Sequence, residues 1–182
     1  MIPVRTLNLG AYRRAKVWLN TMPGPFNGSK QPEAETQTST RIAQAAVEML
    51  LPTGGVVYYG LIGGRLFPSV EPRLRLEIQT PEGDGLPYAS DLAFDYENAR
   101  VGIPLEYREA ISDGFNWAVE NSCLNLSGTL CVYFGVNGDT GSSIVFYRYL
   151  SAVLVRLFTL TGTDATDDEI QVSLPTFGEV RA

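Results

Sequence analysis

The chain has 182 residues, a formal charge of −6 at neutral pH, two cysteines and no histidine. That length suffices for one domain with a sizeable core, and the acidic balance argues against broad, sequence-independent nucleic-acid binding. Without histidine there is no Ser-His or Cys-His nucleophile pair and no imidazole zinc site; a metal would have to use carboxylates, and 164–169 lacks the pattern of a calcium loop, so neither a metal nor a cofactor is expected.

Residues 1–40 read as an N-terminal extension and linker ahead of a single domain over 41–182. The extension mixes Val4, Leu7, Leu9, Val17, Trp18 and Leu19 with the basic group Arg13, Arg14 and Lys16, and it has no assigned secondary structure. The stretch 27–40, rich in Ser, Thr, Gln, Pro and Glu, reads as a loop. Residues 41–51 follow a Ser-Thr pair that can cap a helix, and Pro52 with Gly54-Gly55 can stop it, so an amphipathic helix is expected there. A strand is expected over 56–62, then a loop made of Gly63-Gly64-Arg65 and the proline-bearing segment to Pro72. A half-exposed strand follows over 73–80, with Leu74, Leu76 and Ile78 on one side and Arg73, Arg75, Glu77 and Gln79 on the other.

A short third strand is expected over 92–96. The stretch 102–124 has the marks of a helix: Pro104 suits its first turn, Glu106 and Glu109 its positive end, and Tyr107, Ala110, Ile111, Gly114, Phe115 and Ala118 recur about one turn apart. Gly114 costs roughly 1 kcal/mol against alanine in a helix interior, which points to close backbone approach to a sheet. Residues 128–136 alternate as a fourth strand, with Leu130, Val132, Phe134 and Val136 on one face. After a turn at 137–141, Ser142 or Ser143 can cap a helix running to about 158, with a strand as the alternative. An acidic turn at 164–169 and a last strand over 170–174 complete the order.

The run Pro104, Glu106-Tyr107, Ala110, Gly114, Ala118, Leu124 resembles, without a gap, a helix of domain IV of bacterial elongation factor G, and the element order matches over roughly residues 55–160. The resemblance implies an α+β fold of the split β-α-β type: a four-stranded sheet with helices packed on one face, here with the N-terminal extension added. It also implies a protein of translation that binds the ribosome or structured RNA through two tip loops, Gly63, Gly64 and Arg65 in the first and Asp139, Thr140, Ser142 and Ser143 in the second, with Arg73 and Arg75 adding positive charge. The two cysteines, too few for a disulfide framework, fit a reducing compartment, so a cytoplasmic location is expected. No Gly-x4-Gly-Lys-Ser/Thr loop is present, so GTPase activity is excluded.

Three other readings stand beside this one. The helix 144–158 is apolar around most of its circumference, so a non-enzymatic interaction or assembly protein could use it for a partner or a second subunit. The run Gly138-Asp139-Thr140-Gly141-Ser142-Ser143 is similar to the loop of aspartic proteases, which need two such carboxylates. It also fits a phosphate- or nucleotide-binding turn at a helix start. The longest apolar stretch, 144–160, is short for a membrane span and carries Arg148 and Arg156, so no membrane partner is expected.

Overall fold

The computed structural model describes residues 4–23, 42–79, 85–93, 98–122 and 126–180. In chain order its strands are β1 (Arg5–Asn8), β2 (Arg14–Leu19), β3 (Gln44–Thr53), β4 (Val56–Pro68), β5 (Leu74–Ile78), β6 (Arg100–Val101) and β7 (Gly128–Asn137). The helices are α1 (Arg108–Asn121), preceded by a 3-10 turn at Leu105–Tyr107, then α2 (Ile144–Leu157), α3 (Asp167–Ser173) and α4 (Phe177–Val180). The sheet order is β1-β2-β3-β4-β7-β5, with β6 pairing the end of β7. The class is α+β as expected, but the described sheet has seven strands rather than four. The N-terminal segment supplies β1 and β2, and 44–53 is a strand.

The helix expected over 41–51 is therefore corrected to β3. Ala45, Val47, Met49 and Leu51 pack into the core beneath the helices, while Ala46 and Leu50 pack on the opposite sheet face. Both faces of the strand are covered, so the period-2 signal is masked, and the helix-favouring Ala, Glu, Met and Leu are overridden by pairing with β2 and β4. Gly54 and Gly55, at φ +59 and +81, form the two-residue turn joining β3 to β4.

The loop expected over 63–72 begins only after Pro68, and Gly63-Gly64-Arg65 is the interior of the 13-residue β4. A Cβ on Gly63 would sit 2.9 Å from that of Ala46, and one on Gly64 would sit 2.7 Å from the Cys131 carbonyl oxygen. The two glycines straddle a register shift between β4 and β7. That bulge corrects the face assignment of β7. Leu130 and Val132 lie beneath the helices, whereas Phe134 and Val136 belong to the opposite core, with Cys131 and Tyr133.

β5 and β7 are parallel neighbours joined through α1. α1 buries Ala110, Ile111, Gly114, Phe115 and Ala118, the stripe read from the sequence. Gly114 does meet a backbone closely, but that of α2 rather than a sheet: an added Cβ would lie 1.9 Å from the Arg148 carbonyl oxygen. At the same crossing the Ser151 hydroxyl donates to the Ile111 carbonyl at 2.7 Å.

α2 forms where expected, with Ser143 as its N-cap: the Ser143 Oγ accepts from the Phe146 N–H at 3.3 Å. Ser143→Ala is expected to lower stability by about 1 kcal/mol in chemical denaturation, with an unchanged m-value. Most of α2 is buried within its own chain, from Phe146 to Leu157, beneath α1, α3, α4 and the sheet. The apolar circumference over 146–157 is thus already covered within the chain, which leaves Ile144 at the helix start exposed to a partner.

The last strand expected over 170–174 is α3, and part of the acidic turn is its first turn. The Thr166 hydroxyl accepts from the Glu169 N–H, and the Glu169 carboxylate accepts from the Thr166 N–H, a complete capping box. The expected strand over 92–96 falls partly outside the described residues; Leu92 and Ala93 lie in a bend. The linker expected over 27–40 lies wholly outside them. Among the described residues no helix is long and apolar enough to cross a membrane.

Candidate functional site

At one end of the sheet the β7–α2 loop at 138–143 lies against β4 at Tyr59, three residues into the strand from Val56 and the β3–β4 turn. The Tyr59 N–H donates to the Gly141 carbonyl at 3.0 Å, and the Ser142 hydroxyl donates to the Tyr59 carbonyl at 2.9 Å while accepting from the Gly138 N–H at 2.8 Å. The 3-10 turn before α1 joins the same end, its Tyr107 hydroxyl donating to the Ser142 carbonyl at 3.3 Å and its ring stacking on Tyr147 at 4.8 Å. Ser142 and Ser143 are thus engaged in holding the loop and capping α2. Asp139 and Thr140 are exposed, and Asp139 accepts from the Asn98 amide at 2.8 Å. Around them the same end exposes Val56 (48%), Leu105 (55%) and Ile144 (51%), together with Glu106.

The predicted first tip loop does not join this end. Gly63 and Gly64 are buried in β4, and Arg65 follows them toward the strand's far end, about 30 Å along β4 from Val56. The Arg65 guanidinium lies 5.3 Å from the centroid of the Phe67 ring. Burial pushes the nearby Tyr133 phenol up to about 12, with the Arg65 charge opposing that rise. Arg73 is exposed just ahead of β5, and Arg75 on β5 pairs with Glu71 at 2.7 Å, both side chains more than half exposed. The structure therefore separates the predicted residues into a carboxylate-bearing loop end and an arginine-bearing far end. The Gly54-Gly55 turn, which sequence reasoning used only as a helix stop, joins β3 to β4 at the other end of β4 from Arg65.

Sequence reasoning also missed a polar cluster on the sheet face opposite the helices. Glu48 of β3 is 1% exposed, and its carboxyl accepts from the Tyr59 hydroxyl at 2.8 Å and from the Ser90 hydroxyl. Burial holds its pKa above the usual carboxylate range, against the Ser90 and Tyr59 hydrogen bonds and the charge of Lys16. Burial and the Glu48 charge together push the Tyr59 phenol well above its usual value. Lys16, opposite Glu48 across the β2–β3 ladder, pairs with Asp91. The segment 85–93 thereby lies as a strap over this face, tied further by the Tyr88 N–H to the Ala99 carbonyl and the Val101 N–H to the Leu86 carbonyl.

A carboxyl between two hydroxyls can exchange a proton, but one this deeply covered is out of reach of a substrate. Its role here is to fasten the strap. The available signal was a lone Glu in the apolar run 45–51, which a strand reading would have placed between Ala46 and Leu50 on one face. No family model, curated protein or solved structure matches this chain.

Proposed function

We propose that this chain is a non-enzymatic binding protein that docks a protein partner through the loop end formed by the β3–β4 turn, the 3-10 turn and the β7–α2 loop. One observation carries the reading: Val56, Leu105 and Ile144 are exposed on the elements that end there, as are Asp139 and Glu106, while Arg65, Arg73 and Arg75 lie toward the opposite end of the sheet. Apolar side chains rimmed by carboxylates suit a protein surface with complementary cations, and they would repel a phosphate backbone.

The second reading is a stand-alone relative of elongation factor G domain IV that binds the ribosome or structured RNA. It is favoured by the order β4-β5-β6-α1-β7-α2, three strands, a helix, a strand and a helix over the stretch that carries the resemblance.

Site-specific photo-crosslinking separates the two. A crosslinker replacing Ile144 is expected to yield protein adducts, lost when Leu105→Glu is added, whereas adducts to RNA at that position would overturn the protein reading. Sedimentation with ribosomes at low salt is expected to show no association above background. Association that weakens with salt would establish the second reading instead.

A further inference from the structure

The sheet ends in β5, and among the described residues no strand pairs with its outer side. The Gly128 N–H donates to the Arg73 carbonyl and the Gln79 N–H donates to the Val132 carbonyl, so the odd-numbered residues of this segment spend their backbone groups on β7. By the alternation of a strand, the N–H and C=O groups of Leu74, Leu76 and Ile78 point outward. Such an edge is a template for another strand.

We propose that β5 is a homodimerisation edge, pairing antiparallel with β5 of a second copy about a two-fold axis at Leu76, at a surface separate from the loop end. The charges select this partner and this register. With Leu76 opposite Leu76, Arg75 of each copy stands opposite Glu77 of the other, and Arg73 opposite Gln79. Sliding the pairing by two residues sets Arg75 against Arg75 or Glu77 against Glu77. Only the Leu76-centred register makes two attractive pairs and no repulsive one, and cross-strand charge pairs are felt directly in a sheet.

Because the outward backbone groups belong to the even positions, Arg75 and Glu77 fall at the non-hydrogen-bonded sites, where facing side chains come closest. The existing Arg75–Glu71 pair is solvent-exposed on both sides, so exchanging it for a pairing across the axis costs little.

Packing supports the same edge. Leu74, Leu76 and Ile78 are only half-buried on the helix side, and Val119 of α1 is 38% exposed above them. A groove of ≈ 440 Å³ runs along the strand's start, lined by Pro72, Arg73, Leu74, Arg75, Val119 and Leu126. A second copy of the strand would cover this apolar shoulder while satisfying the backbone of both edges, which gives the closed two-fold contact typical of homodimers.

The test is a charge-swap cycle read by sedimentation equilibrium of the full chain. The wild type is expected to dimerise reversibly, more weakly as salt rises. Arg75→Glu and Glu77→Arg alone are each expected to weaken the dimer by roughly tenfold to a hundredfold, because each turns two attractions into repulsions, and the double variant is expected to recover it. Since both side chains are exposed, the monomers should fold in every case, as circular dichroism would verify. A wild type that stays monomeric at its solubility limit overturns the proposal. So does a dimer insensitive to the single swaps, which would use another surface, or a double variant that remains as weak as the singles.

Discussion

Gly114→Ala is expected to destabilise the protein by about 3 kcal/mol or more, although helix propensity alone would favour alanine by about 1 kcal/mol. The added Cβ would lie 1.9 Å from the Arg148 carbonyl oxygen and 3.1 Å from the Arg148 Cα, both backbone atoms that no rotamer change can move aside. Relief requires α1 and α2 to separate, which would break the Ser151 hydrogen bond to the Ile111 carbonyl and loosen the packing of Phe115 and Ala118. Gly178 in α4 is the control, because a Cβ there meets nothing within 4 Å. Gly178→Ala should be neutral or slightly stabilising. Urea unfolding of the pair would expose the opposite signs; equal stabilities for the two variants would mean that the helices do not approach at Gly114.

The second large effect concerns Glu48. Its folded-state pKa is raised by burial while its unfolded value is the ordinary one, so protonation favours folding. Its contribution to stability is complete below the unfolded pKa and is lost as pH rises through the higher folded value. Glu48→Gln, which keeps an acceptor for the Tyr59 and Ser90 hydroxyls, should flatten this slope and make the variant more stable than wild type on the alkaline side. Lys16, Asp91, Tyr59 and Tyr88 face the same carboxyl, and Lys16 opposes the rise by favouring the charged form.

Glu48→Ala should cost about 2–4 kcal/mol when compared with wild type at acid pH, since it leaves a cavity and two hydroxyls without their acceptor. Stability measured from pH 4 to 9 for the three proteins checks both statements. A wild-type curve parallel to that of Glu48→Gln would show that Glu48 titrates normally.

Several elements were legible because their signal is local. The α1 stripe, the Ser143 cap of α2, the alternation of β5 and the turn after β7 each follow from residues within one or two turns of one another. The Thr166–Glu169 capping box was equally local and was overlooked beneath an acidic cluster. Other features carry no local signature. Strand β3 has the composition of a helix, and only β2 and β4 on either side hold it extended. Gly63-Gly64 looks like a break and is a bulge, because the demand for small residues comes from Met22, Ala46 and β7 rather than from a turn.

The candidate site divides in the same way. Asp139, Thr140, Ser142 and Ser143 were placed in the right loop, since a glycine-rich turn between a strand and a capped helix is readable from its own residues. Arg65, Arg73 and Arg75 were joined to it through the resemblance, which required Gly63-Gly64 to turn the chain at the tip. With β4 running straight through, they lie at the far end of the sheet. The Glu48 cluster unites β2, β3, β4 and the 85–93 strap, up to 75 residues apart in Lys16 and Asp91, and no spacing rule reaches across that separation.

What the sequence determined by itself was an acidic, histidine-free α+β chain, the α1 and α2 helices and the outward charges of β5, because composition, helical periodicity and alternation are written in neighbouring residues. Only the tertiary structure decided that 44–53 is a strand, that Gly114 serves a helix crossing, that α2 is covered by its own chain, and that the loops and the arginines lie apart. Those outcomes depend on which distant surfaces exclude water from one another, and a side chain's partners across a sheet are set by register, not by its neighbours in sequence.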